Sequence, residues 1–91
     1  MEYTTRGILK LIVKAYRLAS EELGGKWISA LRVWKKLKEL GFEIDFTEFI
    51  KLMQRLSERY PAIHFTVHPM ATKPEKIKLY SWMYIEEWFN P

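Results

Sequence analysis

The apolar residues of this chain change their spacing once, at Pro61, and this change limits the folds open to it. Before Pro61 they recur every three or four positions, which is the spacing of one face of a helix. After Pro61, Ile63, Phe65 and Val67 alternate with polar residues, which is typical of a strand with one buried face. The sequence therefore predicts an α+β fold, mainly α, in which helices precede strands.

The first predicted helix covers residues 5–23 and ends at Gly24 and Gly25, which suit the left-handed backbone of a helix C-cap. One narrow arc of its surface is charged, and about 240° of its circumference is apolar, more than one core needs. Either the C-terminal segment folds back over the additional apolar edge or two chains pack together. We expect a homodimer. The residues predicted to form this dimer or partner interface are Leu11, Leu18, Trp82, Ile85, Trp88 and Phe89. The charged arc consists of Arg6, Lys10, Lys14 and Arg17, with Glu21.

Two further helices are predicted before Pro61. The second covers residues 30–40, with Ser29 as N-cap and Gly41 as C-cap. The third covers residues 46–60, preceded by Asp45 as N-cap in a capping-box arrangement.

The remainder of the chain predicts a β-hairpin over residues 62–81 and a C-terminal segment over residues 82–91. The hairpin has a long loop with two prolines between Pro69 and Glu75, and Ile77 and Leu79 alternate with polar residues in its second strand. The apolar residues of the C-terminal segment fit one helical face, so this segment is predicted as a short aromatic helix or an extended tail.

This order of elements, with a tight turn between the second and third helices, resembles the winged helix-turn-helix family of DNA-binding proteins. The resemblance covers Arg6 to about Ser81 and includes residues 26–29, where that family places a short strand that pairs with the wing. It implies that residues 46–60 form a recognition helix in the major groove, with Gln54 able to pair with adenine and Arg55 with guanine. The hairpin would be the wing, and the second helix would contact phosphates. The nucleic-acid-binding residues implied are Lys26, Arg32, Lys35, Lys36, Thr47, Lys51, Gln54, Arg55, Lys73, Lys76 and Lys78.

The charges of the chain are unevenly distributed. Residues 26–41 carry five basic side chains and one acidic one, a net charge of +4, whereas residues 42–60 sum to −1. The third helix begins beside Glu43, Asp45 and Glu48, whose charges oppose the approach of phosphates. The sequence favours a double-stranded DNA-binding protein, sequence-specific or general, that regulates transcription. The alternative is a winged-helix module that binds a protein through its aromatic tail and first helix.

Several other classes are disfavoured. The chain has no cysteine, which excludes disulfide scaffolds and thiol chemistry and fits a cytoplasmic protein. His64 and His68 would stand about 13 Å apart on a strand, too far to share a metal ion. We expect no metal, no cofactor, no membrane span and no enzymatic activity, because no nucleophile lies in a recognisable catalytic motif. Lys and Glu make up 20 of 91 residues, a bias that predicts a thermophilic source.

Overall fold

A computed structural model describes residues 4–91 and shows a mainly helical α+β fold with a small antiparallel sheet. The elements in chain order are α1 (Thr5–Leu23), β1 (Ile28–Ser29), α2 (Ala30–Glu39), α3 (Phe46–Arg59), β2 (Ile63–Val67), α4 (Pro74–Leu79) and β3 (Ser81–Ile85). The strand order is β1-β3-β2. This arrangement is compatible with a winged helix.

The three long helices lie where the apolar spacing predicts them, with ends that differ by at most one residue. Gly24 has a φ of 71° and its N–H donates to the carbonyl of Ser20, which confirms the predicted end of α1. Gly41 has a φ of 92° just after α2. At the N-termini the predictions are wrong in part, because neither Ser29 nor Asp45 makes a side-chain capping hydrogen bond.

The second half of the predicted hairpin is wrong. Residues 74–79 form α4, with Pro74 in its first turn, where the fixed φ and missing N–H of proline suit a helix. The Ser81 hydroxyl donates to the carbonyl of Ile77 at 2.7 Å, which ties the end of α4 to the following strand. The partner of β2 is therefore β3, which begins at Ser81.

The C-terminal segment is also different from the prediction. The prediction is a short helix or an extended tail; residues 81–85 are extended, but they form the central strand of the sheet, which pairs with both β1 and β2. Met83 and Ile85 point into the core and are at most 2% exposed, whereas Trp82 and Tyr84 lie on the opposite face. Strand alternation at these positions therefore decides which side chains are buried.

One core joins the helices to the inner face of the sheet. Its largest buried side chains come from the three long helices and all three strands, so the sheet and the helices cover one another. These side chains include Ile12, Ile28, Leu37, Phe49, Met53, Ile63 and Met83. Tyr16 adds a polar tie, because its buried hydroxyl donates to the carbonyl of Lys26 in the segment that leads into β1.

Candidate nucleic-acid interface

The turn between α2 and α3 is held by the side chain of Trp34. Its indole N–H donates to the carbonyl of Ile44 at 2.7 Å, and its ring meets that of Phe46 edge to face at 5.6 Å between centroids. The N–H of Phe42 donates to the carbonyl of Leu37 at 3.0 Å. These contacts connect the first residue of α3 to α2, so the direction of α3 is set by packed and hydrogen-bonded groups.

The outward face of α3 carries the residues that the winged-helix resemblance assigns to base contacts. Thr47, Lys51, Gln54 and Arg55 are all exposed, because the inward face of the helix is occupied by the apolar stripe. The Lys51 ammonium lies 3.6 Å from a carboxylate oxygen of Glu48, which offsets part of the acidic charge at the start of the helix.

The lysines predicted on the wing lie instead on and just before α4. Lys73 precedes the helix, and Lys76 and Lys78 are within it; all three are exposed. The Lys78 Nζ lies 5.8 Å from the centre of the Phe46 ring, so α4 stands beside the start of α3. The structure thus brings Lys78 next to the start of the third helix, although by a helix and not by a hairpin loop, whereas Lys76 lines a cleft with His68 and Tyr80.

The basic residues of α2 fall into two groups. Arg32 and Lys35 are exposed. Lys36 is engaged within the chain, since its Nζ lies 2.5 Å from Glu22 and 3.0 Å from Glu39, and its side chain is only 18% exposed. Hydrogen bonds to these two carboxylates raise the pKa of Lys36 above its usual value. Lys36 therefore contributes much less free positive charge to the surface than its position in the sequence predicts.

Lys26 lies apart from the lysines of α4. It precedes β1, and the antiparallel register that pairs Ile28 with Met83 places Lys26 level with Ile85. The end of α4 lies at the Ser81 end of β3, whereas Lys26 lies at the Ile85 end. About 13 Å of strand therefore separates Lys26 from the end of α4. Lys26 lines a cleft between α1 and β3.

One basic surface received no functional assignment from the sequence. Arg6, Lys10 and Lys14 are exposed along α1, and Arg17 continues the same arc. The Arg17 guanidinium donates to the carbonyls of Phe89 at 2.6 Å and Glu87 at 3.3 Å, which holds the C-terminal segment along α1. The helical spacing of these four basic residues in the sequence indicates that they share one face of α1.

The residues predicted for a dimer or partner interface do not form one exposed surface. Ile85 is buried in the core of its own chain, which makes that prediction wrong. Phe89 is half-buried against Tyr60, with ring centroids 5.6 Å apart, and Leu11 packs against the core. Leu18 is half-buried, Trp82 lies on the outer face of the sheet, and Trp88 is 69% exposed. The C-terminal segment therefore packs against its own chain, which was the alternative to dimer packing.

Comparison with protein-family models, curated proteins and solved structures finds no match for this chain. Within residues 4–91, no helix has the length and apolar character needed to cross a bilayer. The same residues contain no cluster of three or more His, Asp or Glu side chains able to hold a metal ion.

Proposed function

We propose that this protein binds double-stranded DNA through α3 and α4 and acts as a small winged-helix regulator of transcription. The observation that carries the proposal is the position of Lys78, 5.8 Å from the ring of Phe46 at the start of α3. This contact puts the end of a short basic helix at the N-terminal end of α3, the helix whose outward face carries Gln54 and Arg55. In this arrangement α3 reads base edges, and the lysines of α4 contact phosphates as a wing would.

The acidic start of α3 is the main electrostatic obstacle to this mode of binding. Glu43, Asp45 and Glu48 are exposed there. The contact between Glu48 and Lys51, together with the ammonium of Lys78 nearby, offsets part of their charge. In this mode of binding, entry of α3 into the groove depends on positive charge near its first turn, to which Lys78 of α4 contributes.

The experiment measures binding of a labelled duplex by fluorescence anisotropy between about 50 and 200 mM salt. The double variant Lys73→Gln, Lys78→Gln should bind all sequences more weakly and lower the salt slope by about 1 for each phosphate that is no longer neutralised. The matched control, Lys10→Gln with Lys14→Gln, removes the same charge from α1 and should retain the slope. Equal losses in both variants would show diffuse attraction and contradict the role given to α4.

Base readout is tested separately by Arg55→Ala. A bidentate contact between arginine and guanine contributes about 1–3 kcal/mol of discrimination. A selection from random duplexes should therefore show no preference at one position and little change at the others. If no duplex is retained at low salt by the unaltered protein, the proposed function is wrong.

A protein partner remains the second candidate, and the exposed indole of Trp88 favours it. Trp88 follows β3, whereas Tyr80 precedes it, so these two exposed aromatic residues lie beyond opposite ends of the same strand. The homodimer remains a prediction that light scattering tests directly. A monomer mass at micromolar concentration would remove it.

A further inference from the structure

The outer face of the sheet carries two groups of contacting rings, one at each end of β3, that the proposed DNA interface does not use. Together they consist of two residues from β3, one from β2 and three that flank the strands. We refer to these residues as the aromatic face: Trp27, His64, His68, Tyr80, Trp82 and Tyr84.

The register of the strands brings these rings together. His64 pairs with Tyr84 across β2 and β3, and their rings are stacked, with centroids 5.3 Å apart and an angle of 16° between the ring planes. The ring centroid of Trp27, which precedes β1, lies 5.7 Å from that of Tyr84. Toward the other end of β3, Tyr80 lies 6.4 Å from Trp82, and His68 lies 6.0 Å from Tyr80. The rings thus extend along the whole length of β3.

Solvent reaches this face. Trp27 is 51% exposed and Tyr80 is 43% exposed, and Trp82 and Tyr84 are partly accessible. The helices cover the opposite face, where Met83 joins the core. Large rings left in contact with water on one face of a sheet are typical of a binding surface.

Cationic side chains stand at both ends of the aromatic face. At the Tyr80 end, Lys76 lines a cleft of about 350 Å³ together with His68 and Tyr80. At the Tyr84 end, a second cleft of about 230 Å³ is lined by Lys26 and Arg17, among other residues. Acidic residues are also present at that second end, namely Glu21 and Glu87 in the cleft and Glu86, 3.5 Å from His64.

We propose that the aromatic face binds the unpaired bases of single-stranded nucleic acid. Rings that are partly exposed on a sheet stack on bases of any sequence, and sheets of this kind hold about two or three bases. Lys76 and Lys26, at opposite ends of β3, are placed to contact the phosphates that flank such a segment.

The composition of the face favours bases over an apolar peptide or a second copy of the chain. The residues between the rings are Ser29 and Thr66, which pair with Trp82 on its two sides and carry hydroxyls. None of the described strand side chains on this face is aliphatic, so the strands offer planar surfaces and hydrogen-bonding groups; the aliphatic side chains nearby are Met70 and Ala71, which line the cleft at the Tyr80 end. Lys76 at the Tyr80 end complements a polyanion, whereas at the Tyr84 end Lys26 stands among Glu21, Glu86 and Glu87.

The test uses the whole chain and two labelled oligonucleotides of equal length, oligothymidylate and oligouridylate. Tyr80→Ala and Trp27→Ala should each raise the dissociation constant about tenfold or more, because the removal of one base stack has this magnitude. Both positions are exposed, so circular dichroism should show an intact fold. The matched control is Trp88→Ala, which removes an exposed indole outside the aromatic face and should bind as the unaltered protein does.

Two further measurements, binding of an abasic oligomer and self-association of the unaltered protein and of Trp27→Ala, make the result decisive. An abasic oligomer of the same length should bind at least about tenfold more weakly, since stacking requires bases. Binding of either oligonucleotide supports the proposal, and comparison of the two shows whether this face prefers DNA or RNA, which here differ in the 2′-hydroxyl and in the thymine methyl group. Equal binding of the abasic oligomer, unchanged binding by both alanine variants, or self-association abolished by Trp27→Ala would overturn it.

This inference is separable from the proposed duplex binding. Arg55→Ala should alter duplex preference and leave oligothymidylate binding unchanged, whereas Tyr80→Ala should do the reverse. A protein that binds single strands and no duplex would contradict the proposed function alone, and the opposite result would contradict only the role of the aromatic face.

Discussion

The indole N–H of Trp34 donates to the carbonyl of Ile44, 2.7 Å away, across the turn between α2 and α3. The contact spans ten residues and gives a half-buried polar group its partner. Because Phe46 packs edge to face on the same indole, one side chain fixes both the backbone of the turn and the first residue of α3. The orientation of the proposed recognition helix therefore depends on Trp34.

Replacing Trp34 with Phe tests this dependence. The variant keeps an aromatic ring but leaves the Ile44 carbonyl without its donor, so the free energy of unfolding should fall by about 1 kcal/mol or more. Urea denaturation measures the change. Trp88→Phe is the control, because Trp88 is exposed, and it should change the free energy by less than about 0.5 kcal/mol.

The glycine pair after α1 offers a second matched comparison. Gly24 has a φ of 71°, a conformation that costs other residues about 1–2 kcal/mol, whereas Gly25 does not have a positive φ. Gly24→Ala should therefore destabilise the protein by about 1 kcal/mol, although a Cβ there meets nothing within 4 Å. Gly25→Ala should be neutral or stabilising, since it restricts the unfolded chain. Equal effects in thermal melts would refute the assignment of strain to Gly24.

Lys36 should behave as a structural residue. Lys36→Glu places a third carboxylate beside Glu22 and Glu39, so the melting temperature should fall, and the fall should be smaller at high salt. Lys35→Glu reverses the same charge at an exposed position of the same cleft and serves as the control, and it should lower the melting temperature less because Lys35 makes neither ion pair. If both variants melt at the same temperature, the ion pairs of Lys36 contribute nothing measurable. For tests of DNA binding, Lys35 is the better position.

Tyr16 predicts a stability change at alkaline pH. Burial raises the pKa of its hydroxyl above 10.0, and a hydrogen bond from the backbone of Ile85 opposes this effect in part. Above about pH 10 the unfolded chain therefore releases this proton while the folded chain retains it, so the free energy of unfolding decreases as pH rises.

Tyr16→Phe isolates that contribution. Near neutral pH the variant should be less stable by about 1 kcal/mol, because the Lys26 carbonyl loses its donor. The difference from the unaltered protein should shrink as pH rises above about 10, since only the unaltered protein loses stability through Tyr16. Urea denaturation at several pH values measures it; a constant difference would show that Tyr16 does not titrate differently on folding.

The sequence predicts α1, α2 and α3 because each is long enough for apolar spacing to be distinctive. It fails between residues 74 and 85. In α4 the helix has six residues, too few for a period to emerge, and Ile77 and Leu79 also fit a strand. In β3 the alternation of Met83 and Ile85 predicts a strand, but the spacing of Tyr84, Ile85 and Trp88 in the same segment also fits one face of a helix. Pairing with β1 and β2 decides between these alternatives, and that pairing joins distant parts of the chain.

The candidate interface follows a similar division. Exposure of Thr47, Gln54 and Arg55 follows from the apolar stripe of α3, so a helical wheel predicts it. The ion pair between Lys36 and Glu22 joins residues fourteen positions apart on different helices, and no local pattern reports it. No local pattern predicts the aromatic face either, because Trp27, His64 and Tyr84 are distant in the sequence and come together only when the three strands pair.

The central position of β3 also affects the order of events during synthesis. Helices α1 to α3 rest on local contacts and can form early, but β1 and β2 both pair with β3, which is made after them. Until Ile85 has left the ribosome, Ile28 and Ile63 lack the strand that covers them, and their apolar surface and unpaired strand edges are open to other chains. The nascent protein is therefore most prone to aggregate just before its sheet is completed.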